Sequence, residues 1–497
     1  MAYLLTDQLR LMAEHFPAEV GYKNLDTGEC LTFLEWEERS NRLGRGLVAA
    51  GVSKGDRVAI HVSPDDVLHW IVAYAAVHKA GGIAVPTNTR LVARELVDVL
   101  GHAEAVLALV SESLRPVVDE AAAELPSIRQ VVNAPWPELM DDDSSTFQVP
   151  VDDHDIADIM YTSGTTGRPK GVVVRHDNAA MIPNGLPQWS GSGWLHGSPL
   201  STFAGISSIY NPMKLGMRGL FLPKFDAGRW LGFVEAERPG AVFLVPSMAQ
   251  LIVSHPDIGK ADLSSIFLCS IGSAPLPPET QRRLQEYLPN AAASNGYGMT
   301  EAGPAYCAMP NEEAAKRIGS VGKPMPPVEF RIVAESGGSP DAPLAPREIG
   351  ELIIRNQGRQ REYYRDPDAT AAAWHGDWLY SGDLAYLDED GFLYIVGRKK
   401  DVIIRGGNNV HAADVEAALY QHPDVLEAAV AGIAHAVLGE DVAAWVVLRP
   451  GRNVSAAELG EFCRERLSDY KVPRTILFVD ALPRNATGKV VKSELRV

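Results

Sequence analysis

From residue 57 to residue 273 the chain alternates short apolar runs with stretches of helical period, and this restricts the fold more than any other feature. RVAIHV (57–62), GIAVP (82–86), AVLALV (105–110) and QVV (130–132) read as one series of strands, with helices from Asp65 and over about 92–100 between them. GLFLPKF (219–225), AVFLVPS (241–247) and SIFLCSIGS (265–273) form a second series. Strands alternating with helices build parallel sheets with helices on their faces, so two wound sheets are expected. From about residue 328 the pattern changes. VEFRIV (328–333) and GELIIR (350–355) flank the loop ESGGSPDAPLAPRE and read as antiparallel strands of a small barrel or meander. Beyond GRKKD (397–401) a helix at about 414–421, strands at 425–433 and 441–448, a helix at 455–468 and the strand TILFV (475–479) make a separate small unit. At 497 residues the chain exceeds what one core supports, so about two to four structural units are expected.

Charge narrows the partners. Lys and Arg number 46 against 63 Asp and Glu, a formal charge of −17. That balance argues against nucleic acid or an anionic lipid surface as a main partner, while leaving room for a local basic pocket. No run approaches the ~18–20 apolar residues of a membrane span. The best candidate, 70–86, is broken by His78, Lys79 and two glycines. The N-terminal stretch carries charges every few residues and reads as a short amphipathic helix, not a signal peptide. Cys30, Cys269, Cys307 and Cys463 lie far apart, without metal spacing, and read as reduced thiols. A cytoplasmic protein without integral membrane association is expected.

Several segments carry chemistry. YTSGTTGRPKG (161–171) sets Thr162, Ser163, Thr165 and Thr166, the loop glycines Gly164 and Gly167, and Lys170 between two apolar strands. Backbone N–H groups, hydroxyls and a cation on a flexible loop suit phosphate oxygens. The segment is not a P-loop, because Pro169 and Gly171 break GxxxxGK[ST]. Taken alone it reads equally well as a polar turn. In NGYGMTE (295–301), Asn295 and Gly296 precede Tyr297, whose ring a planar base could approach; Gly298 follows, then the hydroxyl of Thr300 and the hard carboxylate of Glu301. A glycine-rich turn around a core tyrosine is the plainer alternative. SIGSAPL (270–276) ends a strand in Gly272, Ser273 and Ala274, small enough to lie flat against a ring. YSGDLAYLDEDG follows a Ser-Gly turn with Asp383, able to accept two ribose hydroxyls, while DEDG (388–391) reads as a hairpin turn. Arg398 stands before a Lys pair, and PRNATGK presents Lys489 after a turn of Asn485, Thr487 and Gly488.

In chain order, YTSGTTGRPKG, GSAPL, NGYGMTE, YSGD, GRKKDVIIRGGNNVHAADVE and PRNATGK together resemble the adenylate-forming superfamily, which includes acyl-CoA synthetases, adenylation domains of peptide synthetases and beetle luciferases. The resemblance runs from about residue 5 to the C-terminal end. It implies an α/β fold: a large N-terminal domain (1–399) of two wound αβ subdomains plus a small β-barrel, and a small mobile α+β C-terminal domain (400–497) hinged at Lys400. It also implies the roles. The 161–171 loop would hold the β- and γ-phosphates of ATP, and Tyr297 with the 272–274 backbone would sandwich adenine. Thr300 would contact the α-phosphate and Glu301 would ligate Mg2+. Asp383 would take the ribose hydroxyls with Arg398 beside it, and Lys489 would bridge the carboxylate and the α-phosphate. Gly406 and Gly407 would let the backbone pass close to the pantetheine arm of CoA. The implied activity is acid–CoA ligation through an acyl-adenylate. The chemistry follows from the leaving group: a thiol cannot displace oxide from a carboxylate, but it can displace AMP.

One departure bears on the acid. Many acyl-CoA synthetases carry an aromatic residue and a His in LPxFHxxG at the acyl pocket, assigned here to Thr202, Phe203, Gly205 and Gly298. The matching stretch SPLSTFAG (198–205) has Ser201 and Thr202 instead. A wider pocket for a bulky, branched or polycyclic acid is one consequence, and a bulky or medium-to-long acyl substrate is expected; a gap filled by Phe203 or Trp194 is the other reading. No Asp in 198–205 stands ready to pair an α-ammonium, which disfavours amino acids. The carrier-protein pantetheine thiol is the alternative acceptor, and a catalytically silent or luciferase-like nucleotide-binding relative is the alternative class.

Overall fold

A computed structural model of the chain describes residues 4–162, 169–180, 182–303, 307–357, 360–484 and 489–496. It divides into two compact units. The first comprises Met1–Phe243, Gly298–Pro304 and Gln357–Ala372; the second comprises Leu244–Tyr297, Ala305–Asn356 and Ala373–Val497.

In the first unit, the first series of strands expected from the apolar runs forms, together with the earlier part of the second; the strand of SIFLCSIGS, Leu268–Ile271, belongs to the second unit. A six-stranded sheet runs in the order Gln130–Asn133, Ala105–Val110, Arg57–His61, Ile83–Pro86, Ile156–Thr162, Lys170–Arg175. The first five are parallel, and the last is antiparallel to its neighbour with Thr162 opposite Lys170. Helix Val67–Lys79 is buried along nearly its whole length, which is why its sequence lacks an amphipathic stripe. A second sheet pairs Ala241–Leu244, Gly193–His196, Arg218–Phe221 and Val20–Asn24 in parallel, with Cys30–Thr32 antiparallel at the edge. The amphipathic N-terminal segment forms helix Leu5–His15, with Leu5, Leu9 and Met12 buried.

The second unit holds the antiparallel part. Val328–Val333 pairs with Gly350–Asn356 in a seven-stranded antiparallel sheet, matching the strands read from sequence. Trp378–Leu387 and Leu393–Arg398 form a hairpin whose turn is DEDG, closed by Gly391 N–H to the Asp388 carbonyl at 3.0 Å. The C-terminal sheet is built from Val402–Arg405, Asn408–His411, Val425–His435, Gly439–Leu448 and Thr475–Phe478, packed under helices Ala412–Leu419 and Ala456–Arg464. All four cysteines are unpaired. Among the described residues, no helix is long and apolar enough to cross a membrane.

Candidate functional site

In the second unit, the hairpin carries the first cluster. The Ser-Gly step before Asp383 is not a turn, as the sequence suggested; it lies inside strand Trp378–Leu387. Register against the neighbouring strand jumps from Glu351↔Leu384 to Ile353↔Tyr380, so extra residues bulge out at 381–383. Gly382 takes φ +70°, a conformation glycine tolerates. Ser381 Oγ donates to the Leu352 carbonyl at 2.6 Å and accepts from Asp383 N–H at 3.0 Å. The bulge thereby re-aims Asp383. The Tyr297 hydroxyl donates to its Oδ2 at 2.6 Å, and Arg398 Nε lies 3.3 Å from Oδ1. Burial holds the Asp383 carboxyl above the usual aspartate range, against the opposing pull of Arg398, Tyr297 and Lys489. Lys489 is therefore within electrostatic reach of Asp383. Tyr297, in turn, stays protonated through burial and the adjacent carboxylate. Four residues spread over nearly 200 positions of sequence thus meet in one cluster.

Beside it, strands Leu268–Ile271 and Ala293–Asn295 run parallel, with Ile271 opposite Asn295. Gly296 N–H donates to the Ile271 carbonyl at 2.6 Å, and a Cβ there would stand 3.3 Å from Ser270 Oγ. Gly272 N–H donates to the Leu244 carbonyl at 3.0 Å. Ser273 adopts φ +72°, which a non-glycine residue rarely does outside constrained sites. The small-residue segment 272–274 and the NGY segment are therefore neighbours.

In the first unit, Lys170 and Glu301 are linked through a residue the motifs did not single out. Lys170 Nζ lies 4.8 Å from the centre of the Tyr363 ring, and the Tyr363 hydroxyl donates to Glu301 Oε1 at 3.1 Å. Arg361 donates through Nη1 to the Thr300 carbonyl at 2.9 Å and through Nη2 to the Asn178 carbonyl. Neither could be read locally. Their only sequence signal is the alternation of Arg361 and Tyr363 in QREYY, and their targets depend on how that stretch pairs with a distant strand. Ser163, Gly164, Thr165, Thr166 and Gly167 lie outside the described residues, as do Asn485, Thr487 and Gly488; Thr162 and Lys170 close the ends of the hairpin.

The acyl-pocket candidates have local duties too. Thr202 caps helix Phe203–Lys214: its hydroxyl donates to the Pro199 carbonyl at 2.7 Å and accepts from Gly205 N–H at 3.1 Å. A Cβ on Gly205 would fall 2.2 Å from the Pro199 carbonyl oxygen. Phe203 lies under the Arg361 guanidinium at 4.8 Å, whereas Trp194 belongs to a core cluster with Met217 and Ala241. Gly298 is exposed. Lys400 is exposed in the turn Lys399–Asp401. Gly406 and Gly407, at φ +56° and +85°, form the two-residue turn between Val402–Arg405 and Asn408–His411, where positive φ is required at both positions.

Comparison with known proteins matches these features over most of the chain. Residues 10–364 match the model of the AMP-binding enzyme family, and residues 414–489 match the AMP-binding enzyme C-terminal domain. A feruloyl-CoA synthase of Amycolatopsis sp is 37% identical over 478 residues, covering 94% of this chain and 94% of that protein. A 2-succinylbenzoate–CoA ligase of Geobacillus sp. (strain WCH70) is 33% identical over 473 residues, covering 94% and 92%. The crystal structure of the anthranilate CoA ligase AuaEII in complex with anthranoyl-AMP superposes with a TM-score of 0.86 at 25% identity, over 99% of this chain and 96% of that one.

Proposed function

The chain belongs to the AMP-binding enzyme family and is an ATP-dependent acid–CoA ligase working through an acyl-adenylate, and from that premise we propose that its acid carries a bulky, ring-bearing acyl group. The observation that carries this is the pair Ser201 and Thr202, standing where many acyl-CoA synthetases place an aromatic ring and a His. Thr202 turns its hydroxyl back onto its own helix turn, between the Pro199 carbonyl and Gly205 N–H. The acids named for the three proteins compared above support the same reading, since feruloyl, 2-succinylbenzoyl and anthranoyl groups all carry an aromatic ring, although a long-chain-fatty-acid–CoA ligase of Bacillus subtilis is also 32% identical.

Residue roles follow from charge. Two anions must meet in the first half-reaction, so its barrier is largely electrostatic. Lys489 steadies the carboxylate against the α-phosphate, a contribution on the order of 3–4 kcal/mol for a well-placed charge. Thr300 contacts the α-phosphate, and the 161–171 loop with Lys170 holds the terminal phosphates. Asp383 accepts the ribose hydroxyls, with Arg398 keeping it charged, and Tyr297 with Gly272, Ser273 and Ala274 flanks adenine. Glu301 fits Mg2+: it is a hard carboxylate whose Oε1 already has a fixed hydroxyl donor. Bound there, Mg2+ would neutralise polyphosphate charge. For the second half-reaction, the segment after Lys400 turns about that residue, withdraws Lys489 and brings Gly406 and Gly407 to the pantetheine arm.

The test is pyrophosphate release with a panel of acids, with and without CoA, and mass-spectrometric detection of the thioester. Hydroxycinnamates and benzoates should outperform acetate and long-chain fatty acids. Preference for a linear fatty acid would overturn the ring-bearing assignment. Pyrophosphate release without a CoA thioester would instead favour a carrier-protein thiol. In the same assay Lys489→Ala should stop pyrophosphate release yet still form thioester from supplied acyl-AMP; equal loss of both steps would contradict its role.

A further inference from the structure

We propose that the extended segment 360–364 is a brace for the metal-binding carboxylate, in which Tyr363 sets the orientation of Glu301 and Arg361 pins the peptide before it. The inference rests on the assignment of Glu301 to Mg2+ and deepens it.

The segment adds to the edge of the strand Lys170–Arg175. The Glu362 carbonyl accepts from Val173 N–H at 2.9 Å, Tyr364 N–H donates to the Gly171 carbonyl at 2.7 Å, and Val172 faces Tyr363 in an antiparallel bridge. Side chains of an extended segment alternate between faces, so residues 361 and 363 share one side and 362 and 364 the other. The contacts agree. Glu362 pairs with Arg175, and Tyr364 packs its ring 5.8 Å from that of His102. Arg361 and Tyr363 instead reach consecutive residues, Thr300 and Glu301.

Arg361 is 0% exposed. Its guanidinium spans the carbonyls of Thr300 and Asn178 and lies over the Phe203 ring. The turn beyond Glu301 closes around it: Gly303, at φ +69°, would place a Cβ 3.5 Å from the Arg361 carbon. Buried charge-assisted bonds to carbonyls fix the backbone on which Glu301 is mounted. Tyr363 then fixes the side chain. A phenol keeps its proton at neutral pH, so the Tyr363 hydroxyl donates to Glu301 Oε1 at 3.1 Å. The same ring carries Lys170 on its face. One rigid aromatic side chain thus sets the carboxylate and the phosphate-loop lysine relative to each other. Holding a ligand oxygen in place before the metal arrives removes a reorientation cost from binding.

The hydroxyl and the ring can be separated. Tyr363→Phe keeps the face under Lys170 and loses the bond to Glu301. It should raise the free Mg2+ needed for half-maximal pyrophosphate release about tenfold, the scale of one hydrogen bond to a charged group. KM for ATP at saturating Mg2+ should stay within about twofold, because the ring still supports Lys170. Tyr363→Leu, which loses both contacts, should raise KM for ATP as well. Mn2+ titration in the presence of ATP, followed by electron paramagnetic resonance, reads metal affinity without turnover and should weaken in parallel with the Mg2+ requirement. Glu301→Gln is the control. If Glu301→Gln weakens metal binding while Tyr363→Phe leaves both the Mg2+ requirement and Mn2+ affinity unchanged, the brace is overturned. If Glu301→Gln leaves metal binding unchanged, the assignment of Glu301 itself fails and the brace falls with it.

Discussion

A carboxylate with 7% of its surface exposed stays charged only through its partners, and Asp383 has three of them in Arg398, Tyr297 and Lys489. Burial still wins and leaves its pKa above the ordinary aspartate value. In its proposed role as an acceptor of ribose hydroxyls it must be ionised. ATP affinity should therefore be complete above that raised pKa and fall as pH drops through it, earlier than for an exposed aspartate. Tyr297→Phe keeps the ring but removes a bond that lowers the pKa, so the acid limb of ATP affinity should move to higher pH. Asp383→Asn should bind ATP weakly at every pH and show no such limb. Titrating ATP affinity by calorimetry between pH 5 and 8 checks both; an unmoved limb in Tyr297→Phe would contradict the coupling. Tyr297, Asp383, Arg398 and Lys489 could be singled out in the sequence because their motifs, each modest alone, become distinctive in their shared order and spacing. Arg361 and Tyr363 were not, because a buried guanidinium and a phenol's acceptor are decided by strand pairing across more than 180 residues.

Among the elements, those read most closely are the ones whose pattern is local. Val328–Val333 and Gly350–Asn356 were visible as short β-branched and aliphatic runs bounded by turn residues. The bulge at 381–383 was misread as a turn, since Ser-Gly marks a break in extended pairing without saying whether the strand resumes. Helix Phe203–Lys214 shows a further limit: residues assigned to a pocket also build the start of the element. Thr202→Ala should cost about 1 kcal/mol through loss of the N-cap, and Thr202→Ser should cost much less. Gly205→Ala forces a Cβ against the Pro199 carbonyl oxygen, a backbone atom 2.2 Å away, and should destabilise by about 1–3 kcal/mol. Urea unfolding of the three variants separates these outcomes. Acid selectivity measured alongside should shift in Gly205→Ala and hold in Thr202→Ser; unchanged stability in Gly205→Ala would mean that this turn relaxes freely.

At the scale of the whole chain, acid acts through two opposing contributions. With a formal charge of −17 and a pI near 5.3, acidification first relieves repulsion among surface carboxylates, which favours the folded state. Buried imidazoles oppose this. Burial holds His61 down to about 4 and His196 to about 3. His176 is also near 3, through burial and the adjacent His78. All three stay neutral in the fold, while the unfolded chain protonates them below about 6.5. Their folded pKa values are depressed, so the stability they contribute is present above about pH 6.5 and lost as pH falls toward 4. Each contributes about 1.4 kcal/mol per pH unit once its unfolded form is fully protonated. His154, exposed and paired with Asp177, has its pKa raised and acts with the opposite sign. Salt distinguishes the two contributions, because it screens exposed charges and leaves the cost of burying an imidazolium nearly untouched. At 0.5 M salt the urea midpoint should therefore fall steadily from pH 6.5 to 5. Substituting His61 or His196 by Gln should each reduce that slope by about one proton's worth. A midpoint that rises or stays flat over this range at high salt would show that carboxylate repulsion, and not the buried imidazoles, governs the acid response.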